Sequence, residues 1–232
     1  MKDMIEFLRE LKMNNNREWF CKNKHRYQEV QGRFNEFTER LIHGIASFDP
    51  TVANLSVKDC TYRIYRDVRF SEDKSPYKTH LGAVICRGGK KSGFAGYYFQ
   101  IAAGTDEDEN VPHWDCCHMI ASGHYCYDPK ALQILREDIL AGNGDFDDIV
   151  KNEADKRFHL DTSDSLKRNP KGFPADAPYS EYLRLKSFCL ISMPDDDFVQ
   201  SPSLCDNLTD LFKTTKPFID YINRAIEYAK DN

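Results

Sequence analysis

The chain has 232 residues, of which 41% are hydrophobic and 30% are charged, and its formal net charge is −5 at pH 7. This composition is typical of a globular protein with a sizeable core, and the acidic balance argues against non-specific binding to nucleic acid. No apolar run approaches the roughly 18–20 residues of a membrane-spanning helix, and the charged N-terminus lacks the features of a signal peptide. We therefore expect a cytoplasmic protein, with no membrane partner, whose eight cysteines are mostly reduced and buried.

The first fifty residues have a helical period. Hydrophobic residues on one side predict a short first helix over residues 4–11. The asparagines at 14–16 offer an N-cap for a second helix that begins at Arg17. A long amphipathic helix that ends before Pro50 is predicted from hydrophobic residues spaced by three and four positions, namely Tyr27, Val30, Phe34, Phe37, Leu41 and Ile45.

The middle of the chain changes to a period of two, which is typical of strands. Four short strands are predicted, over residues 60–65, 79–87, 94–103 and 117–126. The glycine-rich stretch 88–93 predicts a hairpin turn, because its spacing does not match a phosphate-binding loop. The acidic stretch 106–109 predicts a solvated loop.

The C-terminal half combines helices with one more strand. A helix predicted after Asp128 is stopped by Gly142, and residues 204–226 predict a long helix bent at its internal proline. Residues 155–182 are polar and contain several prolines, which predicts a long functional loop. Residues 185–193 predict a further strand.

This order of elements predicts an α+β fold. We expect a central, mostly antiparallel sheet of about five strands, with long amphipathic helices from both termini packed on it. Because no composition shift or flexible linker marks a boundary, we predict a single domain over residues 1–232.

Residues 63–80, the basic segment, are the most informative part of the chain. Between positions 58 and 91 there are nine Lys or Arg and four Asp or Glu, so this window carries a charge of +5 within an acidic protein. A basic island of this kind indicates a confined anion site rather than a long nucleic-acid track. If the strand at 60–65 continued, its alternation would place four side chains on one face: Arg63, Tyr65, Asp67 and Arg69.

The residue types of the basic segment suit a carboxylate or phosphate ligand. Arginine binds such groups through two parallel hydrogen bonds, and lysine adds positive charge. The predicted ligand-binding residues are Arg63, Arg66, Arg69, Lys74 and Lys78. Asp67 is expected to orient the arginines, and Tyr77 or His80 would supply proton transfer, so the predicted catalytic residues are Asp67, Tyr77 and His80. The alternative is a structural network of Arg, Asp and Tyr that ties a loop to the sheet.

The sequence RDVRFSEDKSPYK at residues 66–78 closely resembles the signature of an uncharacterised bacterial and fungal family, domain of unknown function 2461. Further similarity lies at residues 15–20, 95–98, 171–174 and 181–188, so the resemblance runs from about residue 4 to about residue 228. It implies membership of the family but no activity. Where relatives tend to have Asp-His-Pro, this chain has Asp176-Ala177-Pro178, so a histidine base at that position is not available here.

Histidine and cysteine residues crowd together in the middle of the chain: His113, Cys116, Cys117, His118, His124 and Cys126. Zinc favours such ligands, but their spacing matches no zinc-binding motif. We therefore predict no metal site, and the sequence identifies no cofactor.

Two functions from different classes are consistent with the sequence. The first is a small-molecule protein whose basic segment binds an anionic ligand that bears a phosphate or carboxylate; the sequence leaves open whether it is an enzyme. The second is a non-enzymatic interaction module that docks an acidic protein or a nucleic-acid end through the same basic face. Converging side chains in a concave site would favour the first, and exposed aromatic residues between the charges would favour the second.

Overall fold

The computed structural model describes residues 1–104, 113–125, 127–152 and 157–232, without the side chains of His113, Trp114 and Asn152. The predicted acidic loop at 106–109 therefore lies outside the described residues. Among the helices that are described, none is long and apolar enough to cross a membrane.

The N-terminal helices form as predicted. Helix α1 spans Lys2–Met13, α2 spans Arg17–Lys22, and α3 spans Lys24–Ala46. Asn16 caps α2, because its side-chain oxygen accepts a hydrogen bond of 2.9 Å from the backbone N–H of Trp19. A 3-10 turn at Pro50–Val52 and a short helix α4 at Val57–Cys60 follow.

A five-stranded sheet forms the centre of the molecule, and every pairing in it is antiparallel. The strands are β1 His80–Cys86, β2 Gly96–Ala102, β3 Met119–His124, β4 His159–Leu160 and β5 Phe188–Ser192. Their order across the sheet is β1-β2-β3-β5-β4. This arrangement confirms the predicted α+β class and the predicted antiparallel sheet.

The prediction of a strand at residues 60–65 is wrong. A capping box between Ser56 and Asp59 starts α4 and carries the chain to Cys60 in a helical turn. The following residues are extended, but they form only isolated bridges, Thr61 with Ala83 of β1 and Tyr65 with Tyr77, which precedes β1. The pairing register shifts by two residues between these bridges, so no continuous ladder forms. Because no strand runs through residues 63–69, the expectation that Arg63, Tyr65, Asp67 and Arg69 lie on the same face of a strand is also wrong.

The fifth strand comes instead from the stretch predicted as a loop. Within residues 155–182, β4 pairs with β5 at the edge of the sheet farthest from β1. A short helix, α8, also forms there at Ser180–Leu183. A two-residue strand carries too little periodicity to be recognised in a sequence.

The remaining helices are α5 His113–Cys116, α6 Pro129–Ala141, α7 Asp145–Asn152, α9 Asp196–Gln200, α10 Leu204–Thr214 and α11 Lys216–Asp231. Asp128 caps α6 and Gly142 ends it, as predicted. The long helix expected at 204–226 is two helices, since the chain breaks at Thr215, two residues before Pro217. Proline lacks the N–H that would continue the helical ladder at that point.

The two faces of the sheet have different roles. Its inner face packs on α3 and α10, where the rings of Phe99 and Phe37 lie 5.5 Å apart and those of Tyr97 and Phe212 lie 5.3 Å apart. Alternation turns the intervening residues to the outer face. The outer face therefore carries His80, Gly82 and Val84 of β1, Tyr98, Gln100 and Ala102 of β2, Met119, Ala121 and Gly123 of β3, and Cys189 and Ile191 of β5.

The basic segment provides a pair of aromatic residues for a stability test. Tyr77 is only 4% exposed and stacks on Phe20 with ring centroids 3.9 Å apart, whereas Phe70 is 96% exposed. Tyr77→Ala is expected to lower the free energy of unfolding by about 3 kcal/mol, because it leaves a cavity in the core. Phe70→Ala, the matched control, is expected to change it by less than about 0.5 kcal/mol. Urea unfolding followed by circular dichroism measures both, and equal effects would contradict these placements.

Candidate functional site

The basic segment folds back on itself through backbone hydrogen bonds. The N–H of Lys78 donates to the carbonyl of Ile64 at 2.7 Å, and the N–H of Arg66 donates to the carbonyl of Pro76 at 3.0 Å. These two bonds bring Lys78, which follows the loop, next to Arg63 and Arg66, which precede it. The loop between them, residues 67–75, is called the loop tip below.

The N-terminal helices hold this fold-back in place. The side chain of Asn15 donates to the carbonyl of Tyr77 at 2.9 Å and accepts from its N–H at 3.1 Å. The ring of Tyr77 packs between Phe20 and Tyr65, with a centroid distance of 5.5 Å to Tyr65. Burial raises the pKa of the Tyr77 hydroxyl. The structure therefore places this predicted catalytic residue in the core beside α2, apart from Lys78 and His80.

Three cations, Arg63, Arg66 and Lys78, form what we call the cationic cluster. Lys78 is half-buried, and its ammonium lies 5.2 Å from the centre of the Tyr62 ring. Burial lowers the pKa of Lys78; Asp115 opposes this shift, and Arg63 and Arg66 add to it. These side chains are thus close enough to affect one another electrostatically, and the positive charges are not fully balanced by the carboxylate.

His80 and Asp115 lie next to the cationic cluster. His80 is 8% exposed, and its Nδ1 lies 3.5 Å from Oδ1 of Asp115. Burial, assisted by the charge of Lys78, lowers the pKa of His80 to about 4. Burial raises the pKa of Asp115, although Arg66 and Lys78 oppose that shift. At neutral pH the imidazole is therefore uncharged.

Tyr98 and Gln100 form the floor beside His80. The Tyr98 hydroxyl donates to Oε1 of Gln100 at 2.6 Å, and Nε2 of Gln100 donates to the carbonyl of Cys117 at 2.8 Å. This second bond fixes the backbone just after Asp115. Gly82 makes room for the arrangement, because a Cβ atom there would lie 2.5 Å from the Tyr98 hydroxyl.

Three of the predicted residues, Asp67, Arg69 and Lys74, lie on the loop tip. Asp67 binds Arg69 through two bonds, of 2.9 Å to Nε and 2.6 Å to Nη2, and both side chains are exposed. Lys74 donates to the carbonyl of Val68 at 3.0 Å. Asp67 therefore orients Arg69, while the carboxylate paired with Arg66 is that of Asp73.

The eight predicted site residues consequently fall into three groups. Arg63, Arg66, Lys78 and His80 come together; Asp67, Arg69 and Lys74 lie on the loop tip; and Tyr77 lies in the core. The sequence analysis missed Asp115, Tyr98 and Gln100. Gln100 had a signal, since it is a polar residue inside an apolar strand, whereas Asp115 is far away in sequence and had none.

The histidines and cysteines of the middle segment have structural partners. His118 accepts a hydrogen bond of 3.1 Å at Nδ1 from the N–H of Ala102, and its Nε2 lies 3.0 Å from Asp196. In the part of the chain that the structure describes, no group of three or more His, Cys, Asp or Glu side chains could hold a metal ion. Cys126 and the side chain of His113 lie outside that part.

A cavity of about 420 Å³ lies at the opposite end of the first two strands, beside their hairpin. Among the residues that line it are Gly93, Tyr127, Asp128, Lys130 and Lys230. None of the predicted site residues contributes to it. Charge and hydrogen-bond geometry, rather than cavity size, therefore mark the basic segment as the candidate site.

Comparison with known proteins agrees with the resemblance noted in the sequence. The family model described as "Conserved hypothetical protein (DUF2461)" matches residues 3–221, so the chain belongs to this family. No curated protein and no solved structure gives a significant match.

The low pKa of His80 predicts a pH dependence of stability. The pKa is about 4 in the folded protein and near 6.5 when the residue is unfolded, so only the unfolded chain gains this proton as the pH falls from 6.5 to 4. Above pH 6.5 the uncharged His80 imposes no penalty on the folded protein. As the pH falls from 6.5 to 4, the free energy of unfolding decreases by about 3 kcal/mol because of this group.

Urea unfolding between pH 7 and pH 4 tests this expectation by comparing the wild type with His80→Gln. The variant should lack the corresponding part of the pH dependence. His25→Gln, which removes an exposed histidine from α3, is the matched control and should keep it. Direct NMR titration of the His80 ring with a midpoint above pH 6 would contradict the prediction.

Proposed function

We propose that this protein binds an anionic small molecule, bearing a phosphate or carboxylate, at the cationic cluster. The observation that carries the proposal is the position of Lys78. Two backbone hydrogen bonds hold it beside Arg63 and Arg66, although bringing like charges together at a half-buried position costs free energy. An anion bound among the three side chains would offset that cost.

The partners of Arg66 leave it suited to such a ligand. Its guanidinium pairs with Asp73, a carboxylate that is more than half exposed, and lies 3.5 Å from the hydroxyl of Ser71. A phosphate or carboxylate can take the place of an exposed carboxylate at little cost and can accept two parallel hydrogen bonds from the guanidinium. Asp73 would then hold Arg66 in position until the ligand binds.

His80 and Asp115 are the groups that would carry out proton transfer if the ligand is a substrate. The imidazole is neutral at pH 7 and lies 3.5 Å from the Asp115 carboxylate, so His80 is the group that would accept a proton from a substrate. A cytoplasmic location is part of the proposal, since small phosphate and carboxylate metabolites are abundant there.

Lys78→Met tests the proposal, because methionine keeps the length of the side chain and removes its charge. We expect the dissociation constant for inorganic phosphate, measured by isothermal titration calorimetry, to rise by about tenfold. Lys91→Met, at an exposed position in the hairpin turn, is the matched control and should bind as the wild type does. Equal affinities for the two variants, or no binding by the wild type to phosphate or to a simple carboxylate such as acetate, would refute the proposal.

A second candidate function is favoured by the loop tip. Phe70 is 96% exposed and Tyr65 is 49% exposed, and both lie among arginines and lysines. Exposed aromatic rings between cations are suited to stacking on nucleic-acid bases. In this alternative the protein is an interaction module that docks a nucleic-acid end or an acidic protein.

Fluorescence anisotropy with a short single-stranded oligonucleotide tests this alternative. We expect binding that weakens steeply as salt is raised and that drops about tenfold in Phe70→Ala. Tyr228→Ala, which removes another exposed aromatic ring far from the basic segment, is the control. Binding that does not distinguish the two variants would remove the nucleic-acid form of the alternative.

A further inference from the structure

The cavity beside the first hairpin, which we call the hairpin cavity, has a size that suits a small molecule. Its volume of about 420 Å³ falls within the range of roughly 300–1,000 Å³ that small-molecule sites occupy. The turn between β1 and β2, the start of α6 and the last two turns of α11 line it. Because α6 and α11 pack on each other, the core fixes the walls of the cavity.

The floor of the hairpin cavity is largely aliphatic. Ala131 of α6 and Ile226 of α11 are each 3% exposed, and Ala229 is half-buried. The two alanines are small, whereas larger side chains at these positions would fill the space. Tyr127 adds an aromatic wall, and its ring is held edge-on against Phe188 with centroids 5.9 Å apart. This floor can remove an aliphatic chain from water.

The rim of the hairpin cavity carries two lysines, Lys130 and Lys230, and both are exposed. The ammonium of Lys230 donates to the carbonyl of Ser92 and lies 4.2 Å from the centre of the Phe94 ring. These contacts fix one positive charge at the edge of the cavity. Gly93 has a φ of +78°, which favours glycine, and a Cβ atom there would lie 3.8 Å from that ammonium.

The charge of this rim is not balanced by ion pairs. Neither of its lysines forms one within the part of the chain that the structure describes. The carboxylates nearby have other partners, since Asp128 caps α6 and Glu227 pairs with Arg87 at 2.8 Å. Lysines on other helices pair with a carboxylate one turn away, namely Lys22 with Glu18, Lys151 with Asp147 and Lys216 with Asp220. With two ammonium groups and one carboxylate, the lining is net positive.

We propose that the hairpin cavity is a second binding site, for an amphipathic anion with one anionic head group and an aliphatic tail of medium length. The ammonium groups of Lys130 and Lys230 bind the head group, and the tail lies on Ala131, Ile226 and Ala229. The seven residues of β1 separate this site from the cationic cluster by about 20 Å, so the two bind their ligands independently.

Calorimetry on the full chain at pH 8 with three probes tests the proposal: octanoate, acetate and octanamide. We expect octanoate to bind at least about tenfold more tightly than either of the others, because acetate lacks the tail and octanamide lacks the charge. Acetate that binds as tightly as octanoate, or octanamide that does so, would overturn the proposal. Absence of octanoate binding would overturn it as well.

Two variants test the floor of the cavity. Ala229→Leu fills the space that the tail needs, and we expect it to raise the dissociation constant for octanoate by about tenfold. Ala141→Leu makes the same change at an exposed position at the far end of α6, about 18 Å along the helix, and should bind octanoate as the wild type does. Equal affinities for the two variants would overturn the assigned position of the tail.

Lysine variants test the rim without changing the floor. Lys130→Met and Lys230→Met keep the length of the side chain and remove its charge, so each should weaken octanoate binding by about tenfold and leave octanamide binding unchanged. Lys213→Met, at an exposed position on α10, is the matched control and should bind both probes as the wild type does. Octanoate binding that falls in Lys78→Met but not in Lys230→Met would place the anion at the cationic cluster and overturn the proposal.

Discussion

The candidate site depends on the backbone hydrogen bond from Lys78 to Ile64. This bond, with the parallel constraint from Arg66 to Pro76, closes the basic segment into a loop whose two ends lie side by side. This closure keeps Arg63 and Arg66, which precede the loop, beside Lys78, which follows it. Asn15 supports the closure from the N-terminal helices, since it bonds both backbone groups of Tyr77.

Adjacent residues in the basic segment have opposite environments. Tyr77 packs into the aromatic cluster around Phe20, while Lys78 faces the polar site above β1. The burial of the ring stabilises the backbone conformation that Lys78 needs. The motif is therefore structural at Tyr77, and the candidate site at Lys78 depends on that structural part for its geometry.

The acidic residues around the candidate site also differ in their exposure and in the direction of their pKa shifts. Asp67 and Asp73 lie in exposed positions, accept hydrogen bonds and have lowered pKa values, so they organise the loop tip. Asp115 is half-buried and has a raised pKa, which burial causes. Its position is fixed from the sheet, through the bond from Gln100 to the carbonyl of Cys117. Two kinds of carboxylate thus border the cationic cluster, exposed ones that orient arginine and a half-buried one whose pKa is raised.

Local patterns were sufficient where a single element determines its own conformation. The helical period of α3, the asparagine cap of α2 and the alternation of β1 and β2 are visible in the sequence and appear in the structure. Local patterns failed at residues 60–65, where alternation predicted a strand. There a capping box prevents a strand, and a shift of register between the bridges to Ala83 and Tyr77 prevents a continuous ladder. Strand β4 was missed because two residues have no recognisable period.

The sequence by itself determined the α+β class, the family and the concentration of positive charge in residues 63–80, because these depend on composition and on short-range periodicity. Only the tertiary structure decided which of those charges meet. Arg69 and Lys74 lie on the loop tip, and Tyr77 lies in the core. Distant segments bring Asp115, Tyr98 and Gln100 to the candidate site. The physical reason is that contacts between remote segments follow from chain closure and sheet register, which no local pattern encodes.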